Sequence, residues 1–293
     1  MKQSRELLIL VITILYFCLS SKLYSQTESP VDTCHFVVAY MYKCNTEDVN
    51  GISVTDSVRL AVQVGTKGTK CGEFYRTMLN DLGEWNNKEF QYGEWEARQF
   101  NSPTWYINYP AGEMRTYDQI IPTRYLIEGV APTIKWRLES DTIRIEGYLC
   151  CKAVGSYAGR TWSAWYTEDI PSPAGPWKLR GLPGLIMCAY DSDNIHSFVF
   201  CGLLNKTAPI IMKEDARYST IKQEKFIKQR NKILCNKNYP VNPRYYFPEG
   251  ALSNAVEMWA GGPEPSDEEK YTTLAFDMIV PKTAHVYKPL ELE

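Results

Sequence analysis

Three histidines, nine cysteines and an excess of tryptophan and tyrosine are the residues through which this chain could do chemistry. The histidines His35, His196 and His285 are too few and too scattered for their spacing to mark a metal site. His35 follows Cys34, the types of a nucleophile and its base. Adjacent strand residues face opposite ways, however, so the two side chains are expected to diverge. Met187, Cys188 and His196 lie on two runs joined by a turn and could hold copper or zinc; the competing reading has Met187 and Cys188 packing in a buried strand. Gly155 to Gly159 (GSYAG) is one residue out of register for a nucleophile elbow. Gly65 to Cys71 (GTKGTKC) is too short for a phosphate loop, and H-E-x-x-H is absent. The expectation is a chain that is not an enzyme and uses no cofactor or metal.

Two features suggest binding instead. Arg160 stands among apolar residues, where a guanidinium needs a carboxylate or carbonyl partner. Glu168 is the candidate, and a structural ion pair competes with ligand contact. Trp95, Trp105, Tyr106, Tyr109, Tyr117, Tyr125 and Trp136 crowd one stretch. Such aromatics could line a groove for sugar rings or a lipid tail, or form the core of an antiparallel sheet. The candidate lining residues are Trp105, Tyr117, Tyr125, Trp136, Arg160 and Trp165.

The elements that must position these residues read mostly as strands. In TIKWRLES, Ile134, Trp136 and Leu138 alternate with charged residues, as do Ile143 and Ile145 in DTIRIEGYL, with Ser140-Asp141 between them as a tight turn. Cys34 to Cys44 and Ser57 to Val64 are β-branched and apolar. Pro110, Pro122 and Pro132 punctuate further extended pieces at the rhythm of a meander. Trp162, Ala164 and Tyr166 share one side of a strand, with Thr161, Ser163 and Trp165 on the other. Helix is scarcer. One candidate runs from about Lys70 to Trp85 with Phe74, Met78 and Leu82 at helical spacing, and a second runs from Thr220 to Leu234 with Thr220 and Gln223 as a capping box. The basic face of the second could meet an acidic partner or a membrane surface, or simply be solvated.

The densest punctuation is GPWKLRGLPGLIMCAYD, Gly175 to Asp191. Pro171, Pro173 and Pro176 cannot donate to a ladder, and Gly175, Gly181 and Gly184 allow conformations that a Cβ disfavours. Leu182 and Leu185 anchor this corner in the core, strand resumes at Leu185-Ile186-Met187, and Asp191 to Asn194 turns it back into IHSFVFCGLL. The hexapeptide Gly181-Leu182-Pro183-Gly184-Leu185-Ile186, preceded by Cys151-Lys152-Ala153, Gly159-Arg160, Trp165-Tyr166-Thr167, Ile170-Pro171 and Gly175-Pro176, resembles the GLPGLI family of exported Bacteroidetes proteins. The closing VYKPLELE resembles that family's Asn-Pro-Ile-Glu-Leu ending, with Lys288 and Leu290 in place of Asn and Ile. The resemblance implies an exported, single-domain envelope protein and carries over no catalytic residue.

The ends and composition agree with export. Lys2 and Arg5 precede an apolar run from Leu7 to Leu19 and the exit Leu23-Tyr24-Ser25, a secretory signal (residues 1–25) cut near Ser25/Gln26. The run is shorter than the roughly 20 residues that span a bilayer, so no membrane-spanning segment is expected. Cys18 raises a lipoprotein alternative, although Tyr16-Phe17 stands where small residues belong. Residues 26–293 carry no linker and read as one domain. The net charge of −2 argues against nucleic acid. The eight cysteines beyond Cys18 suggest at least one disulfide, with 105 connectivities open. Together these features point to a mainly β (α+β) fold: a large curved antiparallel sheet or open half-barrel, one or two helices on its concave side, by analogy like the lipoprotein carriers LolA and LolB. The expected function is a periplasmic or secreted non-catalytic carrier of a lipid or peptide, perched beside an outer-membrane uptake system; the alternative is an accessory module whose strand edge or basic helix docks an outer-membrane protein.

Overall fold

The computed structural model describes residues 29–47, 50–74, 77–78, 82, 103–120, 123–212, 218–235 and 288–292. The signal segment, Cys18, Trp95, Pro122 and His285 lie outside the described residues. Thirteen strands make a single sheet: β1 (Ser29–Glu47), β2 (Ser53–Gly65), β3 (Thr69–Glu73), β4 (Thr104–Ile107), β5 (Glu113–Ile120), β6 (Thr123–Val130), β7 (Arg137–Ile145), β8 (Tyr148–Tyr157), β9 (Arg160–Thr167), β10 (Leu185–Asp191), β11 (His196–Leu204), β12 (Ala208–Met212) and β13 (Ser219–Lys222). The helix α1 spans Gln223–Leu234.

The strand order is β13-β6-β5-β4-β3-β2-β1-β11-β10-β9-β8-β7. β1 is the spine. Its β-branched and aromatic sequence pairs with β2 along nearly its whole length, while its other edge takes β11 and then β12 end to end. Every pairing is antiparallel except β13 on β6, which makes the sheet mixed where the sequence suggested a purely antiparallel one.

The sheet is open and strongly curved. α1 packs on β6, and β9 lies eight strand steps from β6, about 38 Å away across a flat sheet at 4.8 Å per step. Yet Arg230 of α1 and Arg160 of β9 both contact the short segment 289–291. Only a sheet curled toward α1 brings them together, so the face that carries α1 is the concave one.

That concave face is filled by the chain itself. Tyr40, Leu60, Val62, Trp162, Leu185, Ile186 and Phe198 form its floor, and the corner between β9 and β10 folds over them with Trp177, Leu179 and Leu182. The Trp177 ring sits 5.6 Å from Tyr157, 5.7 Å from Trp162 and 6.2 Å from Phe198. Further along, Phe226 of α1 covers Ile120, Ile127 and Tyr125. A second cluster on the other face joins Val37, Ala61, Tyr106, Tyr109 and Ile210 to Phe74 and Met78.

Several local expectations are corrected. The predicted turn at Ser140-Asp141 lies inside β7, where the β7–β8 register shifts, and the hairpin turns instead at Glu146-Gly147, both at positive φ. An acidic residue followed by glycine suits a tight hairpin turn better than Ser-Asp does. Lys70 to Glu73, the start of the predicted first helix, belong to the strand β3, buried at every position between β2 and β4, and helical backbone begins only at Phe74. The Thr220 capping box does not form. Ser219 to Lys222 pair with β6, α1 starts at Gln223, and its N-cap Lys222 makes no side-chain cap bond. Among the described residues no disulfide is present: Cys71, Cys150, Cys151, Cys188, Cys201 and Cys235 are thiols. Burial explains part of this, since Cys71 and Cys150 are core residues within an apolar cluster. No described helix is long and apolar enough to cross a membrane.

Candidate functional site

A group of polar side chains buried on the concave face converges on one place, the seat of residues 289–292. It is assembled from four separate elements. β9 contributes Arg160 and β11 contributes His196. The corner contributes Lys178, and α1 contributes Arg230 and Asn231.

Arg160 opens β9, whose alternating burial puts Arg160, Trp162, Ala164 and Tyr166 on the concave side. Its Nη1 donates to Asp191 Oδ2 at 2.6 Å, with Asp193 at 3.8 Å. The expected partner Glu168 follows the far end of the same strand, about 25 Å away at 3.3 Å per residue, so it cannot reach. Asp191 lies beside Arg160 because β10 runs antiparallel to β9 and ends where β9 begins. The second Asp191 oxygen accepts from the Ile195 and His196 amides at 2.9 and 2.8 Å, which closes the β10–β11 turn.

His196 is fully buried, stacked on Tyr42 with ring centroids 6.0 Å apart. Its Nε2 lies 3.2 Å from the Pro289 carbonyl oxygen, which can only accept, so Nε2 carries the proton. Nδ1 therefore accepts from the Tyr42 hydroxyl at 2.9 Å. Burial, and the nearby Arg160 charge, push His196 down to about 3. The ring is neutral at any ordinary pH.

The corner delivers Lys178. Leu179 N donates to Pro176 O at 3.0 Å, Gly181 N to Pro173 O at 2.9 Å and Leu185 N to Ile170 O at 3.0 Å, so the prolines cost the corner few bonds. Gly181 sits at φ +94, where a side chain would be strained. Trp177 takes positive φ as a non-glycine, buried to 1% exposure, which turns the adjacent Lys178 into the cleft. Lys178 is 2% exposed and ion-pairs with Glu291. Burial lowers the Lys178 pKa, and Glu291 opposes that shift.

Arg230 reaches from α1 to the second Glu291 oxygen at 3.3 Å and approaches Asp118 of β5 at 3.9 Å. Burial works to raise Glu291, yet Lys178 and Arg230 together hold its carboxyl below the usual range. Asp118 goes the other way: burial pushes it up to about 6, against the pull of Arg230. The backbone of the seated segment is held as well. Arg160 Nη2 and Nε donate to Pro289 O at 2.6 Å and Leu290 O at 3.3 Å, Asn231 Nδ2 donates to Glu291 O at 2.9 Å, and Leu292 N donates to Ala158 O at 3.0 Å.

Of the six residues nominated as a ligand lining, Arg160 alone touches this segment. Trp105 belongs to the main core. Tyr117 packs edge-on against Tyr106 and Tyr218 on the opposite face, and Tyr125 packs against Phe226. Trp136 donates to Arg180 O at 2.8 Å, and Trp165 lies under Lys152, 5.9 Å from its Nζ. The aromatic row is therefore sheet packing distributed over both faces. Cys34 is buried while the exposed His35 bonds Thr66, so those side chains do diverge. Met187 is fully buried in the core, and Cys188 faces the other side of β10 with Trp165. Among the described residues no group of three His, Cys, Asp or Glu side chains converges as a metal site would need.

Sequence reading missed Lys178, Asp191, Arg230, Asn231 and Glu291 as a set. One signal was visible, because Glu291 is an acid framed by Pro289, Leu290 and Leu292. Its partners come from elements far apart in sequence, which no local pattern joins.

Comparison with known proteins places residues 157–188 within a match to a family described as a protein of unknown function (Porph_ging). The matched stretch runs from the end of β8 through the corner into β10. No curated protein matches the chain. Among solved structures, PNGF-II in one crystal form is similar at 14% identity and a TM-score of 0.43, covering 67% of this chain and 32% of that one. A second crystal form gives 14% identity and 0.40, over 68% and 32%. The chain thus spans about a third of the length of PNGF-II. A domain described as an outer membrane lipoprotein-sorting protein from Vibrio parahaemolyticus aligns at 7% identity and a TM-score of 0.20, over 69% and 92%.

Proposed function

We propose that this is an exported, non-catalytic binding protein whose ligand is an extended polypeptide received on the concave side of the sheet. The observation that carries the reading is the seat itself, where side chains of four elements and the Ala158 carbonyl of the β8–β9 turn hold a stretch of extended chain by its carbonyls, one amide and one carboxylate. Backbone contacts of this kind suit a peptide. A lipid tail would need an apolar hollow, and the described concave face is instead packed with the chain's own Trp177, Leu179 and Phe226. Export rests on the leader-like residues 1–25 and on the GLPGLI-type corner. The absence of catalysis rests on the types and environments of the titratable groups: His196 is a neutral, doubly bonded ring, and Lys178, Glu291 and Arg230 neutralise one another.

A second reading has one observation of its own. Among the described residues β7 ends the sheet with no strand on its outer edge, and Leu138, Ile143 and Leu149 of the β7–β8 hairpin are 56%, 39% and 50% exposed. That hairpin could add an outer-membrane partner's strand, as an accessory module would. Native mass spectrometry of the protein purified from its own envelope, followed by organic extraction, separates the readings. A co-purifying peptide supports the binder, whereas a ligand-free protein that retains one membrane protein through the β7–β8 hairpin rejects it.

A further inference from the structure

The seat has a chemical demand that identifies what it takes. Lys178 is 3% exposed at its side chain, and Glu291 is its one ion-pair partner among the described residues. Emptying the seat would leave a buried ammonium without a carboxylate, which is costly. The rest of the seat stands without the segment. Arg160 keeps Asp191, His196 keeps Tyr42, and Arg230 keeps Asp118. The resident segment is partly open at its flanks: Pro289 and Leu290 are half-buried, Leu290 against the core, and Leu292 is 50% exposed. Apart from Glu291, its polar contacts are to backbone atoms, which any extended chain offers. Pro289 fits because its missing N–H leaves no donor to satisfy.

We propose that this cleft is an exchangeable recognition site for an extended peptide bearing one glutamate between apolar residues, of the Pro-Leu-Glu-Leu type, supplied by another polypeptide, and that residues 289–292 are its resident competitor. The inference rests on the peptide-binding reading above and adds its determinant. The glutamate is selected by Lys178 and Arg230, the preceding carbonyls are read by Arg160 and His196, and the chain direction is fixed by Asn231 and the Ala158 carbonyl.

The test uses the full chain and a fluorescein-labelled peptide, Tyr-Lys-Pro-Leu-Glu-Leu-Glu, copying residues 287–293. Glu291→Lys turns the resident's anchor into a third cation and ejects it. The peptide is expected to bind this variant at least about 10-fold more tightly than wild type, because the competitor is gone. Changing the peptide's first glutamate to glutamine is expected to weaken binding by about 100-fold, the scale of breaking a buried ion pair. Equal binding of both peptides, or no binding to either protein, overturns the proposal. Should Glu291→Lys fail to fold, the wild-type chain decides the matter by amide exchange. Unlabelled peptide is expected to speed exchange at Leu292, whose N–H bonds Ala158, and unchanged exchange under saturating peptide overturns the proposal. A lipid recovered from envelope-purified protein would also overturn this site while leaving a binder of other chemistry.

Discussion

Replacing Gly184 with alanine tests whether the corner is a packed joint. An added Cβ would stand 2.5 Å from the Thr167 carbonyl carbon and 2.9 Å from Glu168 Cα, and closer still to the Thr167 oxygen. All three are backbone atoms, so no side chain can swing away. Relief requires β10 to draw back from β9, which strains the Leu185–Thr167 pairing and the bond from Leu185 N to Ile170 O. Overpacking of this kind costs about 1–3 kcal/mol and a lost backbone bond about 1 more, giving about 2–4 kcal/mol. For a domain of this size that lowers Tm by roughly 5–15 °C. Gly181→Ala meets no atom within 4 Å and suffers only its φ of +94, so it should cost about 1–2 kcal/mol. Gly202→Ala, also in open space and at ordinary φ, should be neutral. Differential scanning calorimetry of the three variants should rank them Gly184→Ala, Gly181→Ala, Gly202→Ala. A Gly184→Ala protein that melts within a degree or two of wild type would refute the close-packed corner and shift the motif toward partner recognition.

Trp177→Ala should lose about 3–5 kcal/mol in urea unfolding, because the ring is the largest element between the corner and the sheet floor. Glu291→Gln should cost roughly 3 kcal/mol by leaving Lys178 unpaired, and a double-mutant cycle with Lys178→Met should show most of that cost vanishing when both charges are gone. The pH dependence has two opposed parts. His196, held near 3, binds fewer protons folded than unfolded, so its contribution is lost as pH falls from about 6.5 toward about 3, and His196→Phe should flatten acid unfolding there. Asp118, raised to about 6 from 3.8, binds more protons folded, so its contribution is present below 3.8 and lost as pH rises through about 6. Asp118→Asn should therefore steepen the acid loss that His196 causes, and chemical denaturation from about pH 3 to about pH 7, the span between the folded and unfolded values, reads both.

What was legible in the sequence was whatever a strand writes locally. The alternation from Arg160 to Thr167 gave the correct faces, and the turn cluster from Asp191 to Asn194 correctly closed β10 on β11. Leu182 and Leu185 are the core anchors expected of them. Failures came where two local signals competed. Thr220 and Gln223 spell a capping box, but pairing of Ser219 to Lys222 with β6 satisfies those backbone groups first. Lys70 to Glu73 lead into Phe74, Met78 and Leu82 at helical spacing, but a slot between β2 and β4 buries both faces of the segment. The aromatic row left groove and core both open for a different reason: sequence proximity between Trp105 and Trp136 says nothing about which face of a curled sheet each occupies.

The seat was illegible because its logic is one of distance. Arg160 and Asp191 are neighbours only through antiparallel pairing, and Arg230 joins them only because the sheet curls by eight strand steps. Arg160 taken alone asks for a partner without naming it, and Lys178 and Arg230 taken alone carry no local signal of burial. Together they bury three cations against Asp191, Glu291 and Asp118, a balance in which Glu291 is the acid that residues 289–292 bring. Curvature thus does more than enclose a core. It gathers three cations from separate elements into one buried site, where the corner holds Lys178 against the Glu291 carboxylate.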